Sequence, residues 1–159
     1  MLVMVMAVAV GLSLGLAGGD MQTILNNPLA SPFTLGISSA AAFGASLAIV
    51  LDLSLPGVPP SWTIAANAFV FALISALLLD AVARWGSMST SGLVLFGIAL
   101  VFSFNAAVSL VQFVASAEAL QGLVFWTMGS LVRSSWPKVG ILLLVFAVLL
   151  PLSLRDTWK

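Results

Sequence analysis

Cysteine and histidine are absent from this 159-residue chain. Without thiols there is no disulfide and no thiolate chemistry; without imidazole there is no histidine base and no soft-metal site. Charge is almost as scarce. Five basic and five acidic side chains make up 6% of the residues, where a soluble domain carries about 25%. So few charges cannot cover the water-facing surface of a 16.5 kDa globule. The five basic residues are scattered and the formal net charge is zero, so no basic face exists for nucleic acid. What is present is apolar: 62% of the residues, with a mean hydropathy of +1.23. This composition describes an integral membrane protein.

Intramembrane hydrolysis has no support either. There is no HExxH, no GxGD-type acid pair and no Ser–His combination, and a Ser–Lys dyad would have to use Lys138 or Lys159 at span edges. No residue is assigned to catalysis or to a metal.

The placement of the few charges sets the layout. Uncharged runs cover 1–19, 21–51, 53–79, 85–117, 119–132 and 139–154. A helix needs roughly 20 apolar residues, with a range near 17–25, to cross a bilayer core. Breaks fall at Asn26-Asn27-Pro28 and Pro32, at Pro56-Gly57-Val58-Pro59-Pro60, at Gly86-Ser87 and from Ser134 to Pro137. The expected architecture is an all-α polytopic bundle with about five spans, at 1–25, 33–51, 62–85, 92–116 and 139–154. Residues 119–131 read as a helix too short to cross, lying at a surface or re-entrant. The runs lack the alternation of barrel strands. A secretory leader over 1–17 would lack its positively charged start, and the apolar stretch continues helically through Gln22. Five spans place the chain ends on opposite sides. Arg84, Arg155 and Lys159 then share one side, expected to be cytoplasmic, and Arg133 and Lys138 the other.

Polar residues inside the spans are the functional candidates. Asn105, Ser109, Gln112 and Ser116 recur at i, i+4, i+7 and i+11, one face of the fourth span. Such a face either walls a path for a hydrophilic solute or supplies interhelical hydrogen bonds. Gly11 and Gly15, Gly36–Ala40–Gly44 and Ala68–Ala72–Ala76 repeat small residues every four positions, the spacing of close helix packing. Asp20 and Asp80 lie near span ends; a buried carboxylate there could relay protons or bind a cation, but both are within reach of water, and Asp80 stands four residues before Arg84. In the loop Ser87–Gly92, Ser89 or Thr90 can cap the following helix, or the small hydroxyls can close a pore mouth.

The run Met21-Gln22-Thr23-Ile24-Leu25-Asn26-Asn27-Pro28-Leu29-Ala30-Ser31-Pro32-Phe33-Thr34-Leu35-Gly36-Ile37-Ser38-Ser39 resembles a family signature. Ser89-Thr90-Ser91 followed by Leu93 to Leu100, and Leu120-Gln121 leading to Phe125-Trp126-Thr127-Met128-Gly129-Ser130-Leu131, agree with it in order and spacing. The chain thereby resembles, over nearly its whole length, the permease subunits of binding-protein-dependent ABC importers for iron–siderophores, haem and vitamin B12. Asp20, where a small or apolar residue is common, and Ser116-Ala117, in place of a frequent Asp-Pro, depart from the pattern.

The resemblance implies a role for each motif. Asn105, Ser109 and Gln112 would line a translocation pathway, and Ser89, Thr90 and Ser91 would form its cytoplasmic gate. Asn27, Pro28, Leu29, Ala30, Pro32 and Gly36 belong to the signature loop. The short helix would lie on the outer side near a docking surface flanked by Glu118, Arg133 and Lys138. The chain would carry iron chelates by alternating access in a bacterial plasma membrane, as a multi-pass subunit contacting membrane lipid. It would pair with a second permease subunit in a homo- or heterodimer, with ATP-binding cassette ATPase subunits and with an extracytoplasmic substrate-binding protein. It would bind no cofactor itself, ATP being consumed by the ATPase. Family members carry about twice the membrane helices present here, and this chain resembles the second through sixth, so a fragment is expected. A transport-incompetent fragment or a small membrane scaffold is the alternative.

Overall fold

The computed structural model of the chain describes residues 1–54, 56–86 and 88–157. Ser87 of the hydroxyl loop and the Lys159 charge lie outside them. The described residues form six α-helices and no strand: α1 (Leu2–Ile24), α2 (Ile37–Val50), α3 (Pro60–Trp85), α4 (Thr90–Phe113), α5 (Ala117–Thr127) and α6 (Trp136–Thr157). A single 3-10 turn occupies Leu131–Arg133. Helices α1, α3, α4 and α6 are long and apolar enough to cross a membrane, and α2 is a shorter apolar helix. The fold is a helical membrane bundle.

Several helix limits differ from the sequence expectation, each for a local reason. The helix expected over 33–51 begins only at Ile37, because Gly36 takes a left-handed φ of 81°. Pro28 and Pro32 each open a turn, over residues 28–29 and 32–36, ahead of the helix. α3 and α6 start earlier than expected, at Pro60 and Trp136. Pro60 and Pro137 sit in first turns, where a missing N–H removes no helical hydrogen bond. α4 stops at Phe113, so Ser116 is not on its face; Ser116 instead caps α5, its Oγ accepting the Ala119 amide at 3.2 Å. The short helix runs over Ala117–Thr127 and ends before Gly129, at φ 71°.

Two compact units are present. One joins Met1–Pro28 to the chain from Gly129 onward, and the other is Leu29–Met128. In the second unit α2 packs against α3, α4 and α5. Its small residues make this possible: Ala40, Ala45 and Ser46 are fully buried, and small side chains let helix backbones approach closely. A Cβ on Gly44 would lie 2.6 Å from the Asn67 carbonyl oxygen. At that crossing Asn67 Nδ2 donates to the Gly44 carbonyl at 2.8 Å. Phe43 meets Phe71 edge-on, with centroids 5.2 Å apart, and Phe104 at 5.9 Å, tying α2 to both neighbours.

In the first unit α1 and α6 pack together, and the 3-10 turn lies against α1. Ser153 Oγ donates to Asp20 Oδ1 at 2.6 Å. Both residues are about one turn from the C-terminal ends of their helices, so the bond brings those two ends together.

Candidate functional site

The candidate site is built on α4, and the signature loop positions that helix. Leu35 and Gly36 press directly on its backbone. A Cβ on Gly36 would fall 2.8 Å from Leu100 Cβ and 3.1 Å from the Val101 nitrogen. From the other side, a Cβ on Gly97 would fall 2.8 Å from Leu35 Cα. Only two glycines permit this approach. Ala30 and Leu35 of the same loop are buried.

The loop also satisfies its own polar groups. The Ser31 amide donates to Thr34 Oγ1 at 2.9 Å, and the Thr34 amide donates to Ser31 Oγ at 3.2 Å. The Ile37 amide reaches the Pro32 carbonyl at 3.1 Å. Irregular backbone in a membrane protein survives only with such partners. Pro28 and Leu29 lie at its entrance, and the Asn27 amide donates back to the Gln22 carbonyl at 3.1 Å. Asn26, at φ 42°, supplies the left-handed residue that ends α1.

With α4 seated by Gly97 and Phe104, its polar stripe lies roughly a quarter turn round the helix from the packing face. Asn105 and Ser109 are exposed and Gln112 is half-buried. Ser109 Oγ donates to the Asn105 carbonyl at 3.0 Å, so that hydroxyl is satisfied within the helix. The Asn105 and Gln112 amides are different: neither has a side-chain hydrogen bond among the described residues. Two amides on an apolar helix, without partners among the described residues, call for water, solute or another subunit. The structure thus brings the three predicted residues onto one flank of α4, and among the described residues none of their side chains bonds to another element.

At the start of α4, Ser89 is the helix cap, its Oγ accepting the Gly92 amide at 3.2 Å. Thr90 and Ser91 occupy the first turn, exposed. The capping reading of this loop is therefore seen directly. Asp80 and Arg84 form the expected i,i+4 pair, with Nε 2.8 Å from Oδ2. Both are exposed, so the pair contributes no more than about 0.3–0.5 kcal/mol. Among the described residues no group of three or more His, Cys, Asp or Glu side chains converges as a metal site would require.

Two polar contacts were not foreseen. Asn67, an amide in the third span, bridges to Gly44, and Ser153 pairs with Asp20. A polar side chain in an apolar helix seeks a partner by default, so Asn67 carried a usable signal. Its partner did not, being a backbone carbonyl.

A model of the FecCD transport family matches residues 1–157. The hemin transport system permease of Yersinia pestis is 35% identical over 146 residues, covering 92% of this chain and 43% of that protein. The molybdate import system permease of Haemophilus influenzae is 34% identical, covering 96% and 44%. A solved transporter assigned to the metal-chelate type, in an inward-facing conformation, superposes with a TM-score of 0.77 at 32% identity, covering 92% of this chain and 45% of that one. The chain spans under half the length of these relatives.

Proposed function

The chain belongs to the FecCD transport family, and from that premise we propose that it forms part of the translocation pathway of an ATP-driven importer for iron chelates. The carrying observation is the flank of α4. Asn105 and Gln112 present amides with no side-chain hydrogen bond among the described residues, on a helix otherwise fit for lipid. A second permease subunit placed against that flank would enclose a path with Asn105, Ser109 and Gln112 on its wall. Neutral polar groups suit a bulky chelate, because they hydrate it without holding it tightly.

The gate in this reading is Ser89, Thr90 and Ser91 at the start of α4. Small hydroxyl side chains at a helix start can close against a symmetry mate, and Ser89 is fixed by its own cap. Alternating access follows if nucleotide binding by ATP-binding cassette partners tilts α4 about its glycine seat. An extracytoplasmic binding protein would deliver the chelate, and the site would be a bacterial plasma membrane. Relatives named for hemin and for molybdate keep the cargo a separate question, which uptake measurements answer.

The test is uptake into proteoliposomes by the complete transporter that contains this segment, with its ATPase and binding protein. ATP-dependent accumulation of a ferric siderophore or haem, reduced by Asn105→Leu and Gln112→Leu with the assembly intact, is the expected result. Accumulation of molybdate alone would overturn the iron-chelate assignment. The alternative reading is a transport-incompetent piece or a small membrane scaffold. Failure of the ATPase to co-purify with the native protein would select it.

A further inference from the structure

A cleft of about 520 Å³ opens in the Leu29–Met128 unit, where the end of α2 faces the start of α3. Asp52, in a left-handed turn at φ 48°, swings the chain out of α2 so that Asp52, Leu53 and Ser54 form one wall. Thr63, Asn67 and Val70 follow at i, i+4 and i+7 on α3 and form the other.

Every uncommitted polar group in this lining can accept a hydrogen bond. Asn67 has Nδ2 engaged with the Gly44 carbonyl at 2.8 Å, which leaves Oδ1 for a ligand. Thr63 is 8% exposed, yet its Oγ1 has no hydrogen-bond partner. Ser54 adds a hydroxyl and Asp52 a full negative charge, with no ion-pair partner among the described residues. Such a lining calls for a cation that brings several N–H donors. The space is far larger than a bare metal ion needs, and one carboxylate does not make a hard-cation cage. The described lining holds no aromatic ring, the feature that captures quaternary ammonium groups.

We propose that this cleft binds a primary alkylammonium group. Asp52 supplies the counter-charge, Ser54, Thr63 and Asn67 Oδ1 accept its N–H donors, and Leu53 and Val70 flank the alkyl stem. The ammonium can belong to a phosphatidylethanolamine headgroup or to a soluble amine.

The test uses the chain in phosphatidylcholine nanodiscs, with 13C-labelled Leu and Val methyls read by NMR. Titration with n-butylammonium should shift the Leu53 and Val70 methyls saturably, and tetramethylammonium should not. Asp52→Asn should weaken the binding by about tenfold or more, since a charge-assisted contact is lost; Asp52→Glu should restore most of it, and Thr63→Val should weaken it. Exchange of the lipid for phosphatidylethanolamine then identifies the source. Methyls already at the bound positions assign a lipid headgroup, and methyls unmoved by the lipid but moved by butylammonium assign a soluble amine. No saturable shift, an equal response to tetramethylammonium, or binding unchanged in Asp52→Asn would overturn the proposal.

Discussion

At the scale of single residues, glycine positions divide into two groups that composition cannot tell apart. Gly36 and Gly97 allow loop and α4 backbones to touch; at Gly11 and Gly15 nothing lies within 4 Å of where a Cβ would stand. Gly36→Ala should therefore destabilise the chain by about 2–4 kcal/mol, from left-handed strain plus overlap with Leu100. Gly11→Ala and Gly15→Ala should leave it unchanged or raise it by up to about 1 kcal/mol, as expected for alanine in a helix. Chemical unfolding in mixed micelles separates the two groups. Ser75 makes a second residue-scale case. It is fully buried in α3 and its Oγ has no hydrogen-bond partner. Ser75→Ala removes an unsatisfied group of nearly the same shape and should stabilise by about 1 kcal/mol; a loss of similar size in the same unfolding assay would show that Oγ has a partner after all.

At the scale of elements, the helices owe their limits to caps more than to apolar length. Hydropathy locates an apolar run but does not say where within it the backbone turns. That is why α2 was expected from residue 33 and starts at Ile37: the intervening loop is as apolar as a helix, and only the left-handed Gly36 and the Ser31–Thr34 exchange mark it as a seat. Ser116 was placed on α4 for the same reason, since periodicity continues through a cap. Where a signal was local it was legible. The Asp80–Arg84 spacing and the Ser89 cap were both readable within four residues of sequence. The Asn67–Gly44 and Ser153–Asp20 bonds join residues 23 and 133 apart, and no local pattern encodes such pairs. Ser89→Ala should cost about 1 kcal/mol and speed hydrogen exchange at the Gly92 amide selectively; unchanged exchange there would mean that the cap does not hold the first turn of α4.

At the scale of the whole molecule, family and helical class were legible because a bilayer imposes strong constraints. Few charges, long apolar runs and ordered motifs point to one kind of protein. The candidate pathway was legible only as a face. A helical wheel places Asn105, Ser109 and Gln112 together, but whether water or lipid meets them depends on what encloses the α4 flank. The central claim is that water does. This chain has no native cysteine, so a thiol introduced into it is read against the same assembly without the substitution. In the assembled transporter, Asn105→Cys, Ser109→Cys and Gln112→Cys should react with a hydrophilic methanethiosulfonate, at rates that change when ATP is added. Leu110→Cys, on another side of α4 and 73% exposed in the isolated chain, should stay unreactive because lipid covers it. Three unreactive thiols in every nucleotide state, matching Leu110→Cys, would contradict a water-filled path along this helix.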